Sequence, residues 1–260
     1  MRDSALPAIA SDEPKEAVQS RNRSARSSQH LKDIARNHAC FRHELFDKLT
    51  HTEPQRQQIA RLLKNYDAHA SYLRRLLLRS ASIMPEKAVG FILENVRNEY
   101  GNGDAEKRHQ LQLQDLARVS GVSALEFKNA RIEPGIKRFI SRAAQLYYPV
   151  HADFPAQMRR PAIAAGAITA TEILAIEEFR CMQQFFAHLG LANHVWFDHI
   201  AIEVEHSEES LAIALYFCNE EDAAPSVEYG LRQMLDNNIN LYDGLCEALS
   251  SNGSQFEMLA

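Results

Sequence analysis

Residues 161–190 read PAIAAGAITATEILAIEEFRCMQQFFAHLG, and their reading sets the fold class. Pro161 suits a first helical turn, where a missing N–H is no loss, and Gly190 suits the left-handed position that closes a helix. The long helix between them reaches about His188. Ala165, Ile168, Ala175, Ile176 and Phe179 stand around Glu172 at helical offsets, so the helix is apolar where Glu172 sits. A carboxyl on such a face is costly unless it is neutral, paired or bound to metal. Glu177 and Glu178 compete with Glu172 for that role, Glu178 being flanked by Leu174, Met182 and Phe185.

Helical spacing continues outward on both sides. Towards the N-terminus, Leu31, Ile34, Ala35, Phe41, Leu45 and Leu49 keep one face from Gln29 onward, and a second helix follows Thr52 to Leu76. A third runs from Pro85 to Tyr100. Asp104 caps the next, which Gly121 ends, and another fits Glu133 to Tyr148. Towards the C-terminus come Trp196 to His206, a short segment from Ser210 to Asn219, and a last helix from Ser226 to Ser250. No segment shows period-two alternation over five residues. Glycine (10) and proline (9) are scarce in 260 residues, which excludes sandwiches, barrels and propellers with their frequent turns. The pattern predicts an all-α fold, one bundle of roughly seven to nine helices over residues 29–260. Residues 1–28, rich in Ser, Ala, Arg and Pro and without a sustained period, are expected to form a disordered tail.

A net charge of −5 argues against a nucleic-acid partner. No run approaches the ~18 apolar residues of a membrane span, and the polar start MRDSALPAIASDEPKEAVQ has no apolar signal core. Cys40, Cys181, Cys218 and Cys246 are widely spaced and read as reduced thiols, so a cytoplasmic location is expected.

Histidine (11) outnumbers glycine, and three histidines fall into chemical patterns. His199, Glu203 and His206 lie within about 60° of one another on a helix, giving two imidazoles and a carboxylate on one stripe. That is a ligand set for a divalent metal of mixed nitrogen and oxygen preference. Glu99 closes one helix and His109 sits in the first turns of the next, with Gly101-Asn102-Gly103 as a corner that lets the two helices pack closely. The plainer readings are an exposed polar stripe and a corner hydrogen bond. The paired E-x-x-H of ferritin-like bundles is absent.

The run Asn95-Val-Arg-Asn-Glu99-Tyr-Gly101-Asn-Gly103, with His109 after it, resembles the N-x-x-x-E-x-G-x-G…H signature of the heme-oxygenase-like di-iron oxidases and oxygenases. Ala170-Thr171-Glu172 and then His199…Glu203…His206 resemble the rest of that pattern, in order, over roughly residues 90–210. The resemblance implies a heme-oxygenase-like fold with Glu99, His109, Glu172, His199, Glu203 and His206 as ligands of two Fe(II) ions, and O2 as co-substrate. It also implies oxidation of a small amino-acid-derived or amine substrate, by N-oxygenation or oxidative C–C cleavage, in natural-product biosynthesis, and a homodimer. Two features depart from the family. Glu203 stands where Asp is common, and the preceding helix offers Asp67 and His69 without a clear match to a further carboxylate. Arg74, Arg75 and Arg97 are candidate partners for a substrate carboxylate, and Trp196, Phe197, Tyr147 and Tyr148 are candidate pocket walls.

Three rival readings remain. One is a metal-independent enzyme of the same fold, either thiaminase-like, with Cys181 as the candidate nucleophile, or quinone-cofactor-synthase-like. Another is a heme-degrading enzyme using His38 or His43. The third is a non-catalytic helical interaction protein. His30, His51, His188 and His194 are assigned no role.

Overall fold

Apolar residues at helical spacing and few breakers give a chain that turns only where Gly, Pro or a cap allows it. The computed structural model describes residues 15–151, 153–220 and 222–250, with side chains from Ser24 onward. Among them are ten α-helices: α1 (Lys15–Asn37), α2 (Glu44–His51), α3 (Arg56–Ala81), α4 (Glu86–Glu99), α5 (His109–Val119), α6 (Ala124–Asn129), α7 (Pro134–Tyr147), α8 (Arg160–Ala187), α9 (His199–Cys218) and α10 (Ala224–Ser250). Short 3-10 turns precede α2, α5 and α9, and no strand occurs among the described residues. No helix of the described residues is long and apolar enough to cross a membrane.

The long helix α8 is the axis of the bundle. It packs along α10 on one side and α9 on another, with α2 and α7 against its flanks. Ala162 to Ala165, Ala167 and Ala170 are buried without residue, so small side chains bring the neighbouring backbones close. The closest approach is at Gly166 and Gly230. A Cβ on Gly166 would lie 2.0 Å from the Val227 carbonyl oxygen, and one on Gly230 would lie 2.0 Å from that of Ile163. Thr169 Oγ1 lies 2.9 Å from the Ser210 carbonyl and fastens α8 to α9.

The structure departs from the sequence reading in four places. Helix α1 begins at Lys15, so residues 15–28 are helical rather than a disordered tail. No Gly or Pro interrupts this stretch, and Leu31, Ile34 and Ala35 bury its far end, from which helix propagates at little cost. Residues 1–14 of the expected tail, and 251–260 of the expected bundle, lie outside the described residues. The first expected helix is two, because the His38 side chain caps a 3-10 turn and His43 caps α2. Helix α6 was not expected, although its Ser123-x-x-Glu126 capping box is visible in the sequence. The two segments expected over 196–219 are one helix, since Ser207 and Ser210 are buried inside α9 and Ser210 Oγ bonds the Ser207 carbonyl. Ten helices therefore replace the expected seven to nine.

Candidate metal centre

The corner after α4 sets the first two side chains. Gly101, Asn102 and Gly103 all have positive φ, which folds the chain back over itself. A Cβ on Gly101 would lie 2.2 Å from the Asp104 carbonyl, so only glycine fits there. Asp104 then accepts from the Glu106 amide and starts the short turn that leads into α5. As a result Glu99, the last residue of α4, meets His109, the first of α5, with His109 Nδ1 2.9 Å from Glu99 Oε1. Arg74 of α3 approaches the other oxygen at 3.6 Å. Burial alone would raise the Glu99 carboxyl. The His109 hydrogen bond and the charges of His109 and Arg74 outweigh it and hold it down at about 2.

Helices α8 and α9 complete the set. Glu172 is buried and accepts from Asn95 Nδ2 at 3.2 Å, so Asn95 orients it. His199, Glu203 and His206 are buried on one face of α9. His206 Nδ1 is 3.7 Å from Glu203 Oε2 and 3.9 Å from Glu172 Oε2, near both but hydrogen-bonded to neither. The His199 and His109 rings are 3.8 Å apart. One donor atom each from Glu99, Glu203 and His206 lies within 4.8 Å of the others. All six residues expected as a site therefore converge from four helices, through direct contacts that link each to another.

Two further carboxyls of the cluster are shifted the opposite way from Glu99. Burial and the Glu203 charge push Glu172 up to about 8. Burial and the Glu99 charge push Glu203 up to about 8 as well. Burial and the neighbouring His109 hold His199 down at about 3, leaving it the neutral imidazole that binds metal. Its enclosed Nδ1 makes no well-aligned hydrogen bond. Buried carboxyls that repel one another, beside imidazole nitrogens, fit a divalent metal with mixed oxygen and nitrogen ligands.

A cavity of about 100 Å³ opens beside the cluster. Its walls include Glu99, His109, Glu172, His199 and Glu203, with Arg74, Trp196 and Tyr147 among the other residues expected to line it. Glu172 joins the cluster, whereas Glu178 lines the cavity elsewhere, bonded by Tyr242 and Tyr66. Glu177 instead accepts from Cys181. Asp67 also lines the cavity, its Oδ1 taken by Ser71 and Gln110, and it does not join the three-residue donor group. Arg75 is exposed, Arg97 pairs with Glu94 on the surface, and Phe197 and Tyr148 do not reach the cavity. The sequence reading missed Asn95 as a partner of Glu172, and the Tyr66–Glu178–Tyr242 hydrogen bonds. Asn95 was legible as part of the motif, but the tyrosines join across three helices and leave no local signal.

The residues that the rival readings need are occupied elsewhere. His38 and His43 cap helices through Nδ1 and bond Asp236 and Asp243 through Nε2, away from the cavity. Cys181 does not line the cavity, and burial, with Glu177 beside it, pushes its thiol up to about 12. His194, assigned no role from sequence, caps the turn before α9 and bonds Asp115 of α5 at 3.2 Å, which ties the His109 helix to the start of the His199 helix.

The profile of a family described as iron-containing redox enzymes matches residues 60–238, a span that holds all six residues. The chain belongs to that family. Solved structures share the fold of this family member at low identity. A CADD-like protein of unknown function from Nostoc punctiforme has a TM-score of 0.68 at 17% identity, covering 90% of this chain and 100% of its own. A domain of unknown function with a heme oxygenase-like fold from Shewanella denitrificans has a TM-score of 0.61 at 12% identity, covering 91% and 94%. A TenA homolog from Pseudomonas syringae pv. tomato has a TM-score of 0.60 at 13% identity, covering 95% and 99%. No curated protein sequence matches. The fold is therefore heme-oxygenase-like, as the sequence motifs implied.

Proposed function

We propose that this member of the family is a non-heme di-iron enzyme that uses O2 to oxidise a small amino-acid-derived or amine substrate, by N-oxygenation or oxidative C–C cleavage. Glu99, His109, Glu172, His199, Glu203 and His206 would hold two ferrous ions. The observation that carries the reading is the convergence of Glu99, Glu203 and His206 within 4.8 Å in a buried site, beside a third carboxyl and two further imidazoles. When bound, the iron supplies the redox step and O2 activation.

The chain's own residues supply geometry and exclusion of water. Asn95 fixes the Glu172 carboxyl. Glu172 and Glu203, both raised, would give up protons when metal binds, so uptake releases protons. Leu73, Leu77, Leu113, Phe179 and Trp196 form apolar wall that keeps bulk water from the site. Arg74 is the guanidinium among the described lining residues and is placed to bind a substrate carboxylate. The cytoplasmic homodimer and the role in natural-product biosynthesis belong to the same proposal.

The test is anaerobic titration of the chelator-treated protein with ferrous ion, followed by exposure to O2. About two irons per chain and a transient visible band uphold the reading. Absence of uptake, or uptake unchanged in Glu99→Ala and His206→Ala, sinks it and returns the metal-independent enzyme of the same fold as the better account.

A further inference from the structure

Glu178 is a cavity carboxyl that the six-residue cluster leaves out. It is buried on α8, where Tyr242 Oη donates to one oxygen at 2.7 Å and Tyr66 Oη to the other at 3.3 Å. Both partners are phenols, no cationic side chain of the described residues pairs with it, and burial, opposed by the two phenol hydrogen bonds, pushes its carboxyl up to about 7, so it gains from a cation. His69 flanks the same tyrosine, its ring edge-on to Tyr66 at 4.5 Å. It is 3% exposed, lines the cavity, and its enclosed Nδ1 makes no well-aligned hydrogen bond. Burial holds it down at about 4, so it is a neutral ring able to accept.

The charges around the cavity are unequal. Asp67, Glu99, Glu172, Glu178 and Glu203 line it against the single guanidinium of Arg74. If metal takes Glu99, Glu172 and Glu203, the carboxyls of the lining outside the cluster are Asp67 and Glu178. Asp67 has Ser71 and Gln110 as donors, which leaves Glu178 as the carboxyl with only phenols for company.

We infer that the Tyr66–His69–Glu178 end of the cavity receives a ligand ammonium group, Glu178 supplying the charge and His69 a neutral acceptor nitrogen. An ammonium carries three N–H donors and no acceptor, which matches a carboxylate and a neutral imidazole lining one cavity. The low dielectric strengthens that ion pair. Aromatic rings of Tyr66, Phe179 and Trp196 line the same end and tolerate a cation. This rests on the proposed reading of the cavity as the substrate site. It assigns the amine end of the substrate to Glu178 and leaves Arg74 for an anionic end.

Trp196 is the one tryptophan of the chain and lines the cavity, so its fluorescence reports occupancy. The probes are n-butylammonium, n-butanol and butyrate, titrated into both metal-free and zinc-loaded protein. Butylammonium is expected to saturate, with butanol and butyrate at least about tenfold weaker. Glu178→Gln keeps the size and a carbonyl acceptor for a phenol. It is expected to weaken butylammonium by about 10- to 100-fold and leave butanol unchanged, with His69→Phe showing a smaller loss. Equal binding of butanol or butyrate by the unsubstituted protein, no saturable butylammonium binding, or unchanged affinity in Glu178→Gln overturns the inference. If Glu178→Gln does not fold, the probe series on the unsubstituted protein decides alone. The ferrous titration reads the metal site separately, so protein that prefers butylammonium yet takes up no iron upholds Glu178 while failing the di-iron reading.

Discussion

Replacing Glu172 with glutamine should stabilise the metal-free protein, by an amount that grows with pH. Glutamine copies the protonated carboxyl: it still accepts from Asn95. In the folded protein burial and Glu203 raise Glu172 from 4.5 to about 8, whereas the unfolded chain ionises at the ordinary value. Between those values the native state holds a proton that the unfolded state has released. Stability therefore falls as pH rises through this window, by about 1.4 kcal/mol per pH unit for one fully shifted group. The wild-type penalty is absent below the unfolded pKa and complete above the folded one. Glu172→Gln has no proton to lose at this position and escapes it, which predicts a gain of roughly 3 kcal/mol near pH 7 and almost none near pH 4.5. Urea unfolding of chelator-treated wild type and variant, followed by circular dichroism across that pH range, measures the difference while cancelling every other titration. A gap that does not change with pH, or a variant less stable than wild type at neutral pH, refutes the reasoning. Ferrous ion should then favour wild type, because glutamine cannot supply a charged ligand.

Other outcomes follow from named contacts. Gly166→Ala places a methyl group 2.0 Å from the Val227 carbonyl and should cost at least about 3 kcal/mol in urea unfolding, since neither backbone can retreat. Gly101→Ala combines a positive φ with a 2.2 Å clash, so it should lower stability by about 1–3 kcal/mol and weaken metal binding as Glu99 and His109 separate. Asn95→Ala leaves Glu172 unoriented and should weaken ferrous affinity by about 10- to 100-fold in a titration, with the circular dichroism spectrum unchanged. His43→Ala removes the α2 cap, costing about 1 kcal/mol, and should leave iron content as it was, an outcome the heme-degrading reading does not allow.

The fold was legible because the long apolar helix at 161–188 and the scarcity of breakers leave little choice but a bundle. The Glu99–His109 corner was legible for a different reason: two glycines and a capping Asp within a few residues state the backbone geometry locally. The continuity of α9 was not legible. Ser207, Glu208, Glu209 and Ser210 look like a break, and only the packing of α8 shows that two of them face inward. The choice between Glu172 and Glu178 was closed to periodicity as well, since both lie on buried faces of one helix and differ only in what other helices bring to them. Asn95 and His194 act through partners distant in sequence, at Glu172 and Asp115, and no local pattern announces such pairs.

The crossing of Gly166 with Gly230 fixes more than the spacing of two helices. It clamps α8 backbone to backbone about 9 Å along the axis from Glu172, and the Thr169–Ser210 bond fastens α9 one turn beyond His206. The scaffold near the cluster is thus a stiff frame, and any ion held there meets walls that do not slide. Adjustment falls to the arms: Glu99, Glu172 and Glu203 each swing on three side-chain torsions, one more than aspartate has. The extra methylene at Glu203 gives this frame reach and play where its helices have none.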